Sequence, residues 1–272
     1  MRSQVISDRF AHPDAAVDEL LVLWQHPTSR EILPIGRFAY DGRLYSFRYT
    51  RTAARMPDFR PLPGFREIDA SYKSETLPVV FDQRVMTPER RDFGAYLAAL
   101  GLSVDTATPW EQIVQSGGSR QGDTLQFMQM PAVRGGRARA QFFVNGIRHA
   151  SGATFRFRGQ EVTVSESDHE TALQRLHEGS QVLLEPEEQN PKDPDAMLVT
   201  TRDLPIGWVP RVLATSLREL AKRDRVAATV RRIGQPDTPA HIRLVLELDI
   251  EAPAGFEFDR DGRWDPAAAA NT

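Results

Sequence analysis

The sequence contains no cysteine, and this absence excludes several kinds of chemistry at once. Disulfides, thiol nucleophiles and cysteine-based zinc sites all require that residue. The six histidines show no HExxH or similar spacing that would place two of them on one helix face as metal ligands. We therefore expect neither a metal site nor a cofactor.

Long apolar runs are also absent. No stretch approaches the ~20 apolar residues that span a bilayer. The first residues, "MRSQVISDRFAHPDAAVDEL", carry acids and a proline where a signal peptide would need an apolar stretch. From these features we expect a cytoplasmic protein.

Charge of one sign is not in large excess, because the net charge is −3. Lysine is scarce, occurring only as Lys73, Lys192 and Lys222, and arginine supplies the other basic residues. Arginine's planar fork suits phosphate and carboxylate. The bias nevertheless runs over the whole chain, which favours a GC-rich genome as its cause.

The length of 272 residues predicts about two domains, of which the first covers residues 18–134. "LLVLWQ" is typical of a strand, and "YDGRLYSF" places Asp-Gly between apolar runs, which favours a hairpin. "TPERRDFGAYLAALGL" predicts a helix capped by Thr87 and ended by Gly101. Its core-facing residues are Phe93, Leu97 and Leu100. "AVRGGRARA", residues 132–140, has no apolar periodicity and is interpreted as a connector.

The second predicted domain covers residues 139–252. "TFRFR" alternates, so Phe155 should point inward and Arg156 outward. "SESDHETALQRLHEG" predicts a helix with a capping box from Ser167 to Glu170 and a stop at Gly179. "PRVLATSLRELAKRD" predicts a second helix with Leu213, Leu217 and Leu220 on one face. Strands outnumber helices, which favours a small twisted sheet or barrel carrying two helices. Residues 253–272 are polar and alanine-rich, and we expect a largely disordered tail.

Three ordered motifs of the second unit, "FFVNGIRHASG", "GSQVLLEPEEQNPKDPDAMLVTT" and "LPIGWVPRVLATSL", resemble the HIRAN domain over about Gln141 to Glu251. The resemblance implies a β-barrel related to oligonucleotide-binding folds that holds the 3′ end of single-stranded DNA. Members of the family sit on fork-remodelling helicases, and bacterial stand-alone members are associated with phage defence or DNA processing.

Carried over residue by residue, the resemblance implies a nucleic-acid site with seven members. These are Arg148, His149, Asn190, Lys192, Asp193, Trp208 and Arg211. Arg148 and Arg211 would contact the phosphate backbone, and the carboxylate of Asp193 would accept a hydrogen bond from the terminal 3′-hydroxyl. Two usual tyrosines are replaced, by His149 and Lys192, which offers weaker stacking at one position and charge at the other.

Ordinary structural roles compete with these functional ones. "NPKDPD" is a good pair of turns, so Asp193 could serve only its own backbone. Trp208 could be a stacking surface or a core residue. For Arg156 and Arg158 a solvated strand face is favoured over a basic rim. His169 and His177 are interpreted as surface or helix-end residues, and "SGGSR", residues 116–120, as a turn rather than a phosphate cradle.

The first unit has a looser resemblance. "IGRFAYDGRLYSFRYT", "LPVVFDQRVMTPERRDFGAYLAALGL" and "SGGSRQGDTLQFMQMP" are similar to the small N-terminal subdomain of HipA-type toxin kinases, over Leu20 to about Pro131. That subdomain implies a module that binds a kinase core. The chain has no glycine-rich phosphate loop followed by lysine and no room for the core itself.

The fold class predicted from these observations is α+β and mainly β, a small HipA-like α/β sheet domain followed by an oligonucleotide-binding-like barrel with two helices. The first functional hypothesis is a non-enzymatic module that binds the 3′ end of single-stranded nucleic acid, DNA rather than RNA. The alternative is an antitoxin-like regulator that contacts a separate HipA-like kinase.

Overall fold

The structure is a computed structural model that describes residues 18–118 and 124–267. These residues form a mainly β structure with short helices, so the predicted α+β class is confirmed. Predictions that fall on the first seventeen residues, on Ser119 and Arg120, and on the last five residues lie outside the described ranges.

The first unit is built on a five-stranded antiparallel sheet. Its strands are β1 (Glu19–Gln25), β2 (Ile32–Tyr40), β3 (Tyr45–Tyr49), β4 (Ser71–Ser74) and β5 (Leu125–Gln129). They lie in the order β4-β3-β2-β1-β5. The hairpin predicted at "YDGRLYSF" joins β2 to β3, and Asp41 Oδ1 accepts hydrogen bonds from the backbone N–H groups of Arg43 and Leu44. The side chain of Asp41 thus replaces backbone partners within the turn.

Four short helices accompany this sheet: α1 (Arg51–Arg55), α2 (Val79–Asp82), α3 (Phe93–Leu100) and α4 (Pro109–Ser116). The predicted end of α3 at Gly101 is confirmed, since this glycine adopts the left-handed conformation with φ of 72°. The predicted start at Thr87 is wrong. The segment before Phe93 forms turns instead, in which the Arg90 N–H bonds to the Thr87 carbonyl and the Arg90 guanidinium pairs with Asp92.

The second unit is built on a seven-stranded antiparallel sheet. Its strands are β6 (Ala132–Arg134), β7 (Arg137–Phe143), β10 (Gln181–Pro186), β11 (Met197–Thr200), β12 (Pro205–Trp208), β13 (Val226–Ile233) and β14 (Leu244–Glu251). A separate hairpin of β8 (Thr154–Phe157) and β9 (Gln160–Thr163) lies between β7 and β10 in the chain. The strand order is β12-β11-β10-β13-β14-β7-β6. One bridge between Asn145 and Trp208 joins the end of β7 to β12, so the sheet curls until its two sides meet. That this ring is of the oligonucleotide-binding type stays a prediction.

The connector predicted at residues 132–140 is wrong, because the segment forms the β6–β7 hairpin. Gly135 and Gly136 form its two-residue turn, with φ of 58° and 73°. Positive φ at both central residues is the geometry that matches the twist of a hairpin, and glycine adopts it without steric cost. The run has no apolar periodicity because β6 is an edge strand whose second and third residues are exposed.

Three helices belong to the second unit: α5 (Ile147–Ala150), α6 (Glu166–Gln174) and α7 (Arg211–Ala221). Leu213, Leu217 and Leu220 of α7 are buried, as predicted. The cap predicted for α6 is wrong, since Ser165 rather than Ser167 accepts the backbone N–H of Asp168. The helix also ends several residues before Gly179. In the described part of the chain, no helix is long and apolar enough to cross a membrane.

The first sheet contributes to two hydrophobic cores, one on each of its faces. Leu20 and Val22 of β1 pack into the core of the first unit, whereas Leu21 and Leu23 pack with the strands of the second unit. Strand β1 is therefore buried on both faces, which explains why "LLVL" is a continuous apolar run rather than an alternating one.

The prediction of a largely disordered C-terminal tail is wrong for residues 253–267. Phe256, Phe258 and Trp264 are buried in the core of the second unit. Beyond them the chain reaches the first unit, where Arg51 N–H bonds to the Asp265 carbonyl and Ala267 N–H bonds to the Tyr49 carbonyl. Burial of three aromatic rings offsets the entropy of ordering a polar segment.

Candidate nucleic-acid interface

The loop between β10 and β11 is held by two of the predicted site residues, Asn190 and Asp193. Asn190 Oδ1 accepts hydrogen bonds from the backbone N–H groups of Lys192, at 2.8 Å, and Asp193, at 2.9 Å. Asp193 Oδ1 accepts the N–H of Asp195 at 3.0 Å. Asparagine and aspartate commonly form such turns. Asn190 and one oxygen of Asp193 therefore have the structural role that competed with binding.

Glu187 anchors this loop to Trp208 of β12, a contact that sequence reasoning missed. The residue is 7% exposed, and its Oε2 atom accepts hydrogen bonds from Asn190 Nδ2 at 2.6 Å and from Trp208 Nε1 at 2.7 Å. An acid directly after the last residue of β10 was the only signal in the sequence. Asn190 lies only three residues away, whereas Trp208 lies 21 residues further along the chain, and sequence spacing gave no sign of that second contact.

Trp208 is half-buried rather than a free stacking platform. Its ring lies 5.2 Å from that of Phe155, measured between centroids. A Cβ atom at Gly146 would lie 2.5 Å from the Trp208 ring, so glycine is required there for the indole to pack. Gly146 also has a φ of 67°, which favours glycine independently. Trp208 therefore packs mainly against other residues of the protein, which is the core role that competed with base stacking.

Asp193 and Arg211 form an ion pair at the surface. Arg211 Nε lies 3.1 Å from Asp193 Oδ2, and the side chains are 43% and 19% exposed respectively. The guanidinium also lies 3.6 Å from Glu31 Oε1 of the first unit. Because a carboxylate oxygen has more than one lone pair, Asp193 Oδ2 keeps the capacity to accept a further hydrogen bond.

Arg148 and His149 of α5 are exposed, and within the described ranges neither side chain makes a hydrogen bond or an ion pair. Both line a cleft of about 540 Å³ between the two units, and Arg148 also borders a second cleft of about 600 Å³. A small cavity beside Arg211 shares Asn145 with the larger cleft. Lys192 is exposed on the loop and likewise makes no side-chain contact of these kinds in the described residues.

The structure thus divides the seven predicted residues. Arg148 and His149 share the inter-unit cleft, and Arg211 with Asp193 lies next to it through Asn145. Asn190 and Trp208 brace the fold, and Lys192 is free on the loop. The clefts do not include Asp193 among their lining residues.

Several other basic and histidine side chains are engaged in the structure. Arg158 pairs with Glu185 at 3.1 Å, whereas Arg156 is exposed and points outward as predicted. The surface interpretation of His169 is wrong. This residue is 4% exposed, its Nε2 atom lies 3.1 Å from the Ile206 carbonyl, and burial lowers its pKa below the usual 6.5. His177 is exposed, as expected.

The sequence "SGG" at residues 116–118 ends α4, with Gly117 and Gly118 at φ of 65° and 57°. This matches the turn interpretation in the residues described. Among residues 18–118 and 124–267, no group of three or more histidines and acids is placed to hold a metal ion.

Comparison with known families adds one finding to this geometry. Residues 140–251 match the HIRAN domain, which covers less than half of the chain. HIRAN domains are nucleic-acid-binding modules. No curated protein and no solved structure matches the chain.

Proposed function

We propose that the protein is a non-enzymatic module that binds the 3′ end of single-stranded DNA through its second unit. The observation that carries this proposal is the position of Arg148 and His149. Both are exposed at the mouth of the cleft of about 540 Å³, without partners in the described residues and without an acid among the cleft's lining residues. An unpaired guanidinium beside an open cleft is suited to a phosphate group.

Asp193 has a specific role in this proposal. A carboxylate repels phosphate, so its place in a DNA site makes sense only where it meets a hydrogen-bond donor. The free hydroxyl of a 3′ end is such a donor, and the neighbouring Arg211 keeps the local charge favourable for the last phosphate. A 3′-phosphate would be rejected by repulsion from the same carboxylate.

Fluorescence anisotropy with labelled oligonucleotides ending in a 3′-hydroxyl or a 3′-phosphate tests the proposal. We expect tighter binding of the hydroxyl form, a log–log salt slope of about −2 for three neutralised phosphates, and a loss of affinity in Arg148→Ala. Arg156→Ala is the matched control, because Arg156 is an exposed arginine of the same unit that lines neither cleft.

The Asp193→Asn variant tests whether the protein distinguishes a 3′-hydroxyl from a 3′-phosphate, separately from whether it binds DNA at all. Asparagine keeps the turn bond to the Asp195 N–H while removing the charge. The variant should therefore bind both ends with similar affinity. Equal affinity of the wild-type protein for the two ends, or an unchanged preference in Asp193→Asn, would refute the proposed recognition of the 3′-hydroxyl by Asp193.

A second candidate function concerns the first unit. Its proposed likeness to the HipA N-terminal subdomain favours an antitoxin-like regulator of a separate kinase, and Val79 and Val104 are 81% and 73% exposed on this unit. Single exposed apolar side chains are common on protein surfaces, so these two valines serve as probes of the surface and not as evidence for a partner. A pull-down from the native host with Val79→Ser and Val104→Ser as controls tests it. Failure to recover a kinase rejects this role. DNA binding in a cytoplasmic DNA-processing or phage-defence system would then be the remaining proposal.

A further inference from the structure

The cleft of about 540 Å³ is built by both units, although the HIRAN match covers only one of them. The first unit contributes the end of α4 and strand β5, including Gln126, and the second contributes the end of β7, α5 and the loop before β14. The volume falls in the range of roughly 300–1,000 Å³ that small-molecule sites occupy. The first unit is therefore a wall of the site and not only an attached module.

Polar side chains converge on this cleft without satisfying one another. Gln126 and Asn145 line it with amide groups that make no side-chain hydrogen bond among the described residues, and the same holds for His149 and His241. Amides usually find partners when they are half-buried, as both of these are. Their free donors and acceptors are available to a ligand.

The cleft also offers a flat apolar surface. Phe143 lines it and is half-buried, and its ring packs over Gly117, where a Cβ atom would lie 2.8 Å from the ring. The φ of 65° and this close approach together require glycine at the end of α4. Gly117 and Phe143 both line the cleft, and their close contact fixes the position of the ring there.

The chemistry differs in the other large cleft between the units. That cleft has about 660 Å³ and is lined by Glu111, Glu178 and Glu247 as well as by arginines. The three carboxylates balance the three arginines, so this cleft has no excess of positive charge to attract a polyanion. Gln129, on the same strand as Gln126, lines this cleft of mixed charge instead of the acid-free one.

We propose that the acid-free cleft is a nucleobase pocket shared by both units, in which Gln126 and Asn145 bond to the edge of one unstacked base near the 3′ end. This inference rests on the proposed function and deepens it. An amide presents a donor next to an acceptor, which matches the N6 and N7 atoms of adenine. Phe143 provides a surface for stacking, as aromatic rings do for single-stranded bases. Adenine alone presents this pair on its major-groove edge, so the proposal commits to adenine at one position near the terminus.

The test uses the full chain and single-stranded DNA oligonucleotides of thymidine in which one position near the 3′ end is replaced in turn by adenine, cytosine or guanine. Anisotropy titrations should show one position where adenine binds about tenfold or more tighter than the weakest base. Gln126→Ala should remove this preference, so that the oligonucleotides with different bases at that position bind with similar affinity. Gln129→Ala is the matched control and should keep the preference. Asn145→Ala provides a second variant, and circular dichroism verifies that each variant is folded.

The outcomes separate this inference from the function on which it rests. Binding that depends on Arg148 but shows no base preference, or a preference that survives in both Gln126→Ala and Asn145→Ala, overturns the nucleobase pocket alone. Absence of binding to any oligonucleotide by the wild-type protein overturns both. A base preference lost in Gln126→Ala and kept in Gln129→Ala supports the pocket.

Discussion

Replacing Glu187 by alanine tests whether one buried carboxylate holds the β10–β11 loop to strand β12. The change removes the acceptor for two donors, Asn190 Nδ2 and Trp208 Nε1. Hydrogen bonds to a charged group contribute about 1.5–3 kcal/mol each. Both donors belong to half-buried residues and regain some water, and the buried charge itself is lost. We therefore expect a net loss of about 2–3 kcal/mol in the free energy of unfolding.

The assay is urea denaturation followed by tryptophan fluorescence, with a thermal melt as a second measure. A loss of this size corresponds to a fall in Tm of roughly 4–12 °C for a chain of this length. Glu188→Ala is the control, because Glu188 is the exposed neighbour and makes no side-chain hydrogen bond or ion pair in the described residues. It should change stability by less than about 0.5 kcal/mol.

Glu187→Gln refines the measurement, since its amide oxygen still accepts a hydrogen bond but carries no charge. Its stability should lie between that of the wild-type protein and that of Glu187→Ala. If Glu187→Ala and Glu188→Ala lose the same stability, the loop is not held by this carboxylate. The assignment of Asn190 and Trp208 as bracing residues would then be wrong as well.

Three further predictions concern the rest of the fold. Arg232→Ala removes donors to the carbonyls of Leu100 and Gln115 in the first unit, and should cost about 1–3 kcal/mol by denaturation. Arg231→Ala, which removes a partly exposed ion pair with Glu178, should cost under about 1 kcal/mol. Trp264→Ala should cost about 3–5 kcal/mol, and an unchanged melt would show that residues 253–267 do not pack on the core. Because burial lowers the pKa of His169 below 6.5, the unfolded chain binds the proton more readily, so stability should fall as the pH drops through 6.5 and level off below the folded pKa. His169→Gln should reduce this dependence, and an unchanged pH profile would contradict it.

Elements with strong local signals were predictable. The Asp41-Gly42 hairpin, the apolar face of α7 and the glycine end of α3 depend on residues that lie within one turn of one another. The turns around Asn190 and Asp193 belong to the same class, because each side chain bonds to backbone only two or three residues away.

Helix starts, and segments with little apolar periodicity, were predicted less well. Thr87 and Ser167 both fit a capping pattern, yet neither caps its helix, since a neighbouring turn or a neighbouring serine made the bond instead. The hairpin at Gly135 and Gly136 and the packed segment ending at residue 267 have little apolar periodicity. Both are stabilised by strands and cores that lie far away in sequence.

The sequence by itself determined the α+β class, most of the strands, the loop turns, and the presence of Arg148, His149 and Asp193 in a HIRAN-like pattern. Only the tertiary structure decided which of these groups are free. It paired Asp193 with Arg211, joined Trp208 to Glu187, and placed Gln126 of the first unit on the same cleft as Asn145. Backbone turns and periodicity are encoded by residues a few positions apart, whereas a side chain's partner depends on how distant segments pack, and no local pattern carries that information.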